Sequence, residues 1–265
     1  MNRKPYPTDL TDEQWELLDS ILPPPELRGR KRTVNLREVF NALSYLTRTG
    51  CQWRFLPHDF PAWQTVYYYF RKWRAADWFA SWNDALRDEV REQAGRDVEP
   101  SAAIIDSQSA KTTELADERG FDAGKKVNGR KRHFLVDTLG LLLYVKVLTA
   151  SVQDRDGARQ LLDEVQERFP RLRLIWADGG YRGKLITWVA ETCAWLLQIV
   201  LRKDDVKGFQ VLPRRWVVER TFAWVCRNRR LSKDYERLAE SEEAFCYYSM
   251  IHLMLRRLRP AKASS

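Results

Sequence analysis

Apolar positions in the first hundred residues recur every three or four places, the spacing of helices with one buried face. Trp15, Leu17, Leu18, Ile21 and Leu22 follow Thr11-Asp12-Glu13-Gln14, a cap with acids in the first turn, and Pro23-Pro24-Pro25 closes the segment. A second helix is predicted from Leu36 to Arg48 on Val39, Phe40, Leu43 and Leu46, with Gly50 past its end. A loop with Pro57 and Pro61 precedes a third helix over 63–73, and a fourth spans Trp78 to Glu92. These predict an all-α domain of the helix-turn-helix type over residues 1–97.

After Gly95–Pro100 the period shortens. Ala102-Ala103-Ile104-Ile105-Asp106 is a short apolar run ending in an acid, and His133–Thr138 with Leu141–Thr149 predict a hairpin turning at Leu139-Gly140. Then come a helix from Asp156 to Phe169, a strand Leu172–Asp178, a helix Lys184–Cys193, a strand Trp195–Leu201, and terminal helices Arg214–Asn228 and Ser241–Leu258. The second part, residues 98–265, is therefore predicted to be α/β, a mixed sheet flanked by helices.

Composition narrows the class. Of 265 residues, 44% are hydrophobic and 12% aromatic, too many for a disordered chain. Leu141–Val147 and Trp195–Leu201 fall well short of the roughly 20 residues that span a bilayer. The start Met1-Asn2-Arg3-Lys4-Pro5 leads into no apolar segment, so no signal peptide or anchor is expected and a cytoplasmic location is. Cys51, Cys193, Cys226 and Cys246 form no Cys-x-x-Cys pair, and His58, His133 and His252 are scattered. Any metal must therefore be held by oxygen.

The net charge of +9 is unevenly spread: residues 1–100 balance 15 Lys+Arg against 15 Asp+Glu, and residues 101–265 carry 30 against 21. The densest run, residues 125–132, holds Lys125, Lys126, Arg130, Lys131 and Arg132 with no acid; Arg214, Arg215, Arg220, Arg227, Arg229 and Arg230 come next, and then a basic tail. Such runs are solvated faces or phosphate-binding patches. On the third helix, Gln64, Thr65, Arg71 and Lys72 are of the types that reach base edges and phosphates in a major groove, beside tyrosines that serve a core equally well.

Asp106 and Asp178 each end an apolar run and precede small or polar residues. On neighbouring strands they would share one cleft, and hard oxygen ligands suit Mg²⁺; singly, each serves as well to cap the next segment. Glu219 shares a helix face with Arg215, a spacing that otherwise makes a surface ion pair. Asp154 and Asp156 could approach the site, but their place before a helix favours capping; Asp137 is assigned to a turn, His133 to a structural role over DNA contact, and Trp176, Trp216 and Trp224 to the core over stacking on bases.

Taken in order, Ile104-Ile105-Asp106-Ser107-Gln108, Trp176-Ala177-Asp178-Gly179-Gly180-Tyr181 and residues 215–224 resemble the DDE transposases of bacterial insertion sequences, closest to the insertion sequence 5 family. Lys126–His133 and Leu10–Trp15 extend the likeness over nearly the whole chain. The resemblance implies a ribonuclease-H-like catalytic domain with Asp106, Asp178 and Glu219 holding two Mg²⁺ ions, for which Mn²⁺ can substitute, and Arg215 neutralising phosphate. It also implies double-stranded DNA as partner, both the element's terminal inverted repeats and the target, and a homodimer on DNA. Two ions about 4 Å apart serve hydrolysis and strand transfer alike. Related transposases carry Tyr-x-x-Arg-x-x-x-Glu-x-x-x-x-x-x-Lys around the last acid; here Leu212 stands at the Tyr position and Cys226 at the Lys position, with Arg227, Arg229 or Arg230 as substitutes. The rival readings are a non-catalytic DNA-binding regulator and a metal-dependent nuclease that does not join.

Overall fold

The computed structural model describes residues 3–24, 33–201 and 214–261. Helix α1 (Asp12–Ser20) starts at the expected capping box, Thr11 accepting from the Gln14 backbone N–H and the Gln14 side chain accepting from Thr11 N–H. Helix α2 (Leu36–Thr49) is capped by Asn35 and ends at Gly50, whose φ of 73° suits glycine. Residues 50–62 separate it from α3 (Trp63–Ala75), a longer link than the roughly three or four residues of a helix-turn-helix. Ala76 and Asp77 join α3 to α4 (Trp78–Gln93).

Six strands come after α4: β1 (Ala102–Lys111), β2 (Gly120–Asp122), β3 (Val127–Asp137), β4 (Leu142–Thr149), β5 (Leu174–Ala177) and β6 (Leu196–Ile199). Their order is β2-β3-β1-β5-β6, with β4 also on β3; β1 to β4 pair antiparallel, while β5 and β6 run parallel to β1. Helices α5 (Asp154–Val165) and α6 (Lys184–Cys193) lie in the second half, and α7 (Trp216–Cys226) and α8 (Ala239–Leu258) end the fold. This mixed sheet between helices fits a ribonuclease-H-like domain.

Alternation along the strands splits the sheet between two cores. Ala103, Ile105, Ile175 and Ala177 meet Leu161 and Leu162 of α5 and Leu185 and Val189 of α6. Ile104, Phe134 and Trp176 face the other way, onto Val218 and Phe222 of α7 and the buried side of α8. That second core continues without a break into α1–α4. Phe245 of α8 stacks on Phe70 with ring centroids 4.6 Å apart, and the buried Tyr248 donates to the Phe40 carbonyl and accepts from Ser44. Residues on either side of position 97 thus share one core. Asp137 joins them again: buried, it accepts from the N–H groups of Leu139 and Leu141, the expected turn role, and pairs with Arg91 of α4.

The basic run 125–132 departs from expectation. Strand β3 begins at Val127 rather than His133, and it lies between β1 on one side and β2 and β4 on the other, so its side chains enter the two covered faces. Arg130, Lys131 and Arg132 are accordingly buried. Arg130 pairs with Asp234 at 3.1 Å, Lys131 with Asp154 at 2.9 Å and Asp122 at 3.4 Å, and Arg132 with Glu242 of α8. These three cations, expected to bind DNA, are spent inside the fold, because a charge buried in a central strand must meet an opposite one.

His133, opposite Ser107 on β1, is fully buried against Gly157, and neither ring nitrogen takes a hydrogen bond among the described residues. Burial pushes its pKa down to about 4; Asp154 opposes that, while Lys131, Lys125 and Lys146 add to it. Between the unfolded value near 6.5 and the folded value, the unfolded chain binds the extra proton, so stability is lost as pH falls through that window. Wild type should lose on the order of 2–3 kcal/mol relative to His133→Leu between pH 6.5 and 4; parallel pH dependences in urea unfolding of the two proteins would contradict this.

Candidate active site

Strands β1 and β5 run parallel and in register, with Ile104 opposite Trp176 as the last rung. Two residues further on each chain stand Asp106 and Asp178, which therefore lie side by side on the face of Ile104 and Trp176, the face that α7 covers. Asp106 does not end its strand as expected: β1 runs on to Lys111 against β3 alone, while the chain leaves β5 at Asp178. The cleft opens where the two strands part.

Helix α7 brings the third acid across this fork. Arg215 Nη2 lies 3.7 Å from Asp106 Oδ2, 3.6 Å from Asp178 Oδ2 and 3.7 Å from Glu219 Oε1. The Arg215–Glu219 pair is no isolated surface contact, since one guanidinium is ringed by three carboxylates more than a hundred residues apart in sequence at the extremes. Backbone donors fix two of them: Ser107 N–H donates to Asp106 Oδ1 and Gly180 N–H to Asp178 Oδ1, both at 2.7 Å. Burial, reinforced by the charge of Asp178, raises the Asp106 pKa to about 6, while the Ser107 N–H, Arg215 and Lys125 oppose the rise.

Among the described residues no three acids, histidines or cysteines stand close enough to one another to hold a metal ion. The carboxylates are spread around the guanidinium instead. Three negative groups with only oxygen donors surround a positive charge there, and oxygen donors of this kind are what a hard divalent ion takes.

The remaining expected residues divide. Gln64, Arg71 and Lys72 are exposed on α3 and Thr65 is half-buried; Arg71 also lines a cleft of about 500 Å³ with Trp63, Tyr67 and Tyr235. Lys125 and Lys126 are exposed, and Lys125 donates to the Ser107 carbonyl, beside Asp106. Arg227 and Arg229 are exposed past α7. Arg220 is half-buried, its guanidinium 4.3 and 4.6 Å from the ring centres of Trp216 and Trp224 while it donates to the Leu139 carbonyl. Arg230 is buried, paired with Glu236 at 2.6 Å and donating to the Cys51 carbonyl, which corrects its assignment to DNA as for the three cations of β3. Leu212 lies outside the described residues. Cys226 accepts from the Gln108 amide at 3.4 Å. Trp176 is buried, as expected, whereas Trp216 is exposed.

The capping role favoured for Asp154 does not hold. The N-cap of α5 is Gln153, which makes no side-chain cap bond; Asp154, in the first turn, accepts from Ser107 Oγ at 2.7 Å and from Lys131 Nζ at 2.9 Å through Oδ1. Burial works to raise its pKa, but the bonds from Lys131 and Ser107 prevail and lower it. The local signal, an acid opening a helix, is that of a cap; the partners that override it come from β1 and β3.

Residues 98–254 match the family model of the "Transposase DDE domain", and residues 10–83 match that of the "Putative transposase of IS4/5 family". Two Burkholderia cepacia proteins are each 28% identical over 124 residues, 44% of this chain. They are "Insertion element IS402 uncharacterized 16.2 kDa protein", matched over 78% of its length, and "Putative transposase for insertion sequence element IS402", matched over 58%. No solved structure shows a significant match.

Proposed function

The chain belongs to the DDE transposases of the IS4/5 type, and from that premise we propose that it binds the terminal inverted repeats of an insertion sequence, cuts its ends and joins them to target DNA. The observation that carries the reading is the convergence of Asp106, Asp178 and Glu219 on one guanidinium nitrogen. Asp106, Asp178 and Glu219 are the residues that would hold two Mg²⁺ or Mn²⁺ ions. When bound, the metal supplies the charge that activates a water or a 3′-hydroxyl and stabilises the leaving oxygen.

The chain's own groups do the rest. Arg215, released from the three carboxylates, is within reach of a phosphate entering the fork, and a guanidinium grips phosphate through two parallel bonds. Lys125 flanks the cleft and gives the incoming backbone a counter-charge. Gln64, Thr65, Arg71 and Lys72 on α3 present the polar surface that contacts the end sequence, with Lys126, Arg220, Arg227 and Arg229 following the backbone. Two ends recombined in step call for a dimer on DNA, by family analogy alone. Among the described residues no helix is long and apolar enough to cross a membrane, and the protein acts in the bacterial cytoplasm, on the nucleoid.

Incubation of the protein with Mg²⁺, a pre-nicked duplex bearing the element's terminal repeat, and a supercoiled target plasmid tests this. Joined products are expected. Nicked plasmid without joining would leave the nuclease reading, and retarded but uncut duplex the regulator.

A further inference from the structure

We propose that Asp154 is a fourth carboxylate of the metal centre, a positioning residue whose free oxygen steadies the hydrated divalent ion held by Asp178. The inference rests on the transposase reading of the site and adds to it a residue from the opposite face of the sheet.

Three observations meet at this point. Asp154 is fixed next to the ligands: its Oδ1 takes hydrogen bonds from Ser107 Oγ and Lys131 Nζ, and the backbone N–H of the same Ser107 donates to Asp106. Its Oδ2 takes no hydrogen bond among the described residues and faces Asp178 across Gly180. A Cβ built on Gly180 would lie 3.0 Å from Asp178 Oδ1 and 3.7 Å from Asp154 Oδ2. The two carboxylates thus look onto a gap that the missing side chain leaves open. Beside it lies Tyr181, fully buried, with its hydroxyl toward the Ser107 side chain. Burial raises the pKa of that hydroxyl well above its usual value, and the charges of Asp106, Asp154 and Asp178 add to the rise while Ser107 opposes it.

The chemistry comes from which oxygen is left over. Lys131 and Ser107 hold one oxygen of Asp154 and so aim the other. Lys131 is itself held from behind by Asp122, which Ser109 also donates to. A carboxylate gripped this firmly on one side is suited to orienting water on an ion, the role in which outer groups tune metal affinity.

Titration of Mn²⁺ into the DNA-free protein, followed by electron paramagnetic resonance, tests the assignment without recourse to catalysis. Asp154→Asn is expected to weaken Mn²⁺ binding by about 10- to 100-fold, Asp154→Glu to recover part of it, and the exposed Asp156→Asn to leave it unchanged. In end cleavage, the Mg²⁺ concentration at half-maximal rate should rise for Asp154→Asn by a similar factor, with excess metal restoring the rate. Should Asp154→Asn fail to fold in a thermal melt, Ser107→Ala, which frees the carboxylate but keeps its charge, should weaken Mn²⁺ binding in its place. Wild-type affinity and an unmoved Mg²⁺ midpoint in a folded variant would overturn the proposal. Asp178→Asn separates the two levels: if it loses Mn²⁺ and Asp154→Asn does not, only the role of Asp154 fails, whereas if Asp178→Asn binds as wild type, the metal site itself is wrong.

Discussion

Glu219→Gln is expected to lower the rate of end cleavage by about 10³-fold or more, with affinity for the terminal-repeat duplex held within about twofold, since phosphate contacts elsewhere carry the binding. The side chain is half exposed and has no part in either core, so the change should not move the melting temperature. Glutamine keeps the shape and removes one negative charge from the three that surround Arg215. The guanidinium stays matched by Asp106 and Asp178, which preserves the resting arrangement while depriving the cleft of an anionic oxygen donor. Single-turnover cleavage and a gel-shift titration on the same preparation provide the measurement. A variant that cuts at the wild-type rate would remove Glu219 from the site and leave the cutting to other residues.

The largest effect on stability is expected at Arg132. Arg132→Ala removes the cation from a buried pair and leaves Glu242 buried near Asp234 and Glu236 without it, a change worth about 3–5 kcal/mol. Burial already pushes the Glu242 carboxyl up to about 8 against the pull of Arg132, and without the guanidinium it rises further. A raised acid is stabilising in its protonated form, so the deficit should be smallest near pH 5 and grow as pH rises through the folded value. Arg132→Met combined with Glu242→Met should recover most of the loss, because two apolar side chains replace the pair without stranding a charge. Urea unfolding at pH 6 and pH 9.5 measures both effects. DNA binding by the folded fraction of Arg132→Ala should keep the wild-type salt dependence; a shallower slope would mean that Arg132 touches phosphate after all.

The contrast between these two residues marks what could be read from the chain. Glu219 was visible because its signal is short-range: an Arg one turn earlier, on a segment whose order and wording resemble known transposases. The helices α1 and α2 were equally legible, since Thr11, Gln14, Asn35 and Gly50 act within a few residues of themselves. Asp106 and Asp178 were recognisable as acids following apolar runs, although only the β1–β5 register brings them together. Arg132 was misread because the acid that neutralises it comes from α8, and Arg130 because Asp234 is 104 residues away. A cation on a central strand and one on a solvated loop look alike in sequence; the difference lies in what the rest of the chain folds over them. Asp154 failed for the same reason in reverse, its position at the start of α5 being a local cue that contacts from β1 and β3 override.

The core that α8 shares with α1–α4 has an evolutionary consequence. A gene shortened ahead of β1 would encode a polypeptide whose last helix turns Phe245 and Tyr248, now covered by Phe70, Phe79 and Phe40, to water. Such a remnant would clump or be degraded. Loss of the N-terminal helices therefore takes the stability of the part that matches the transposase DDE domain with it.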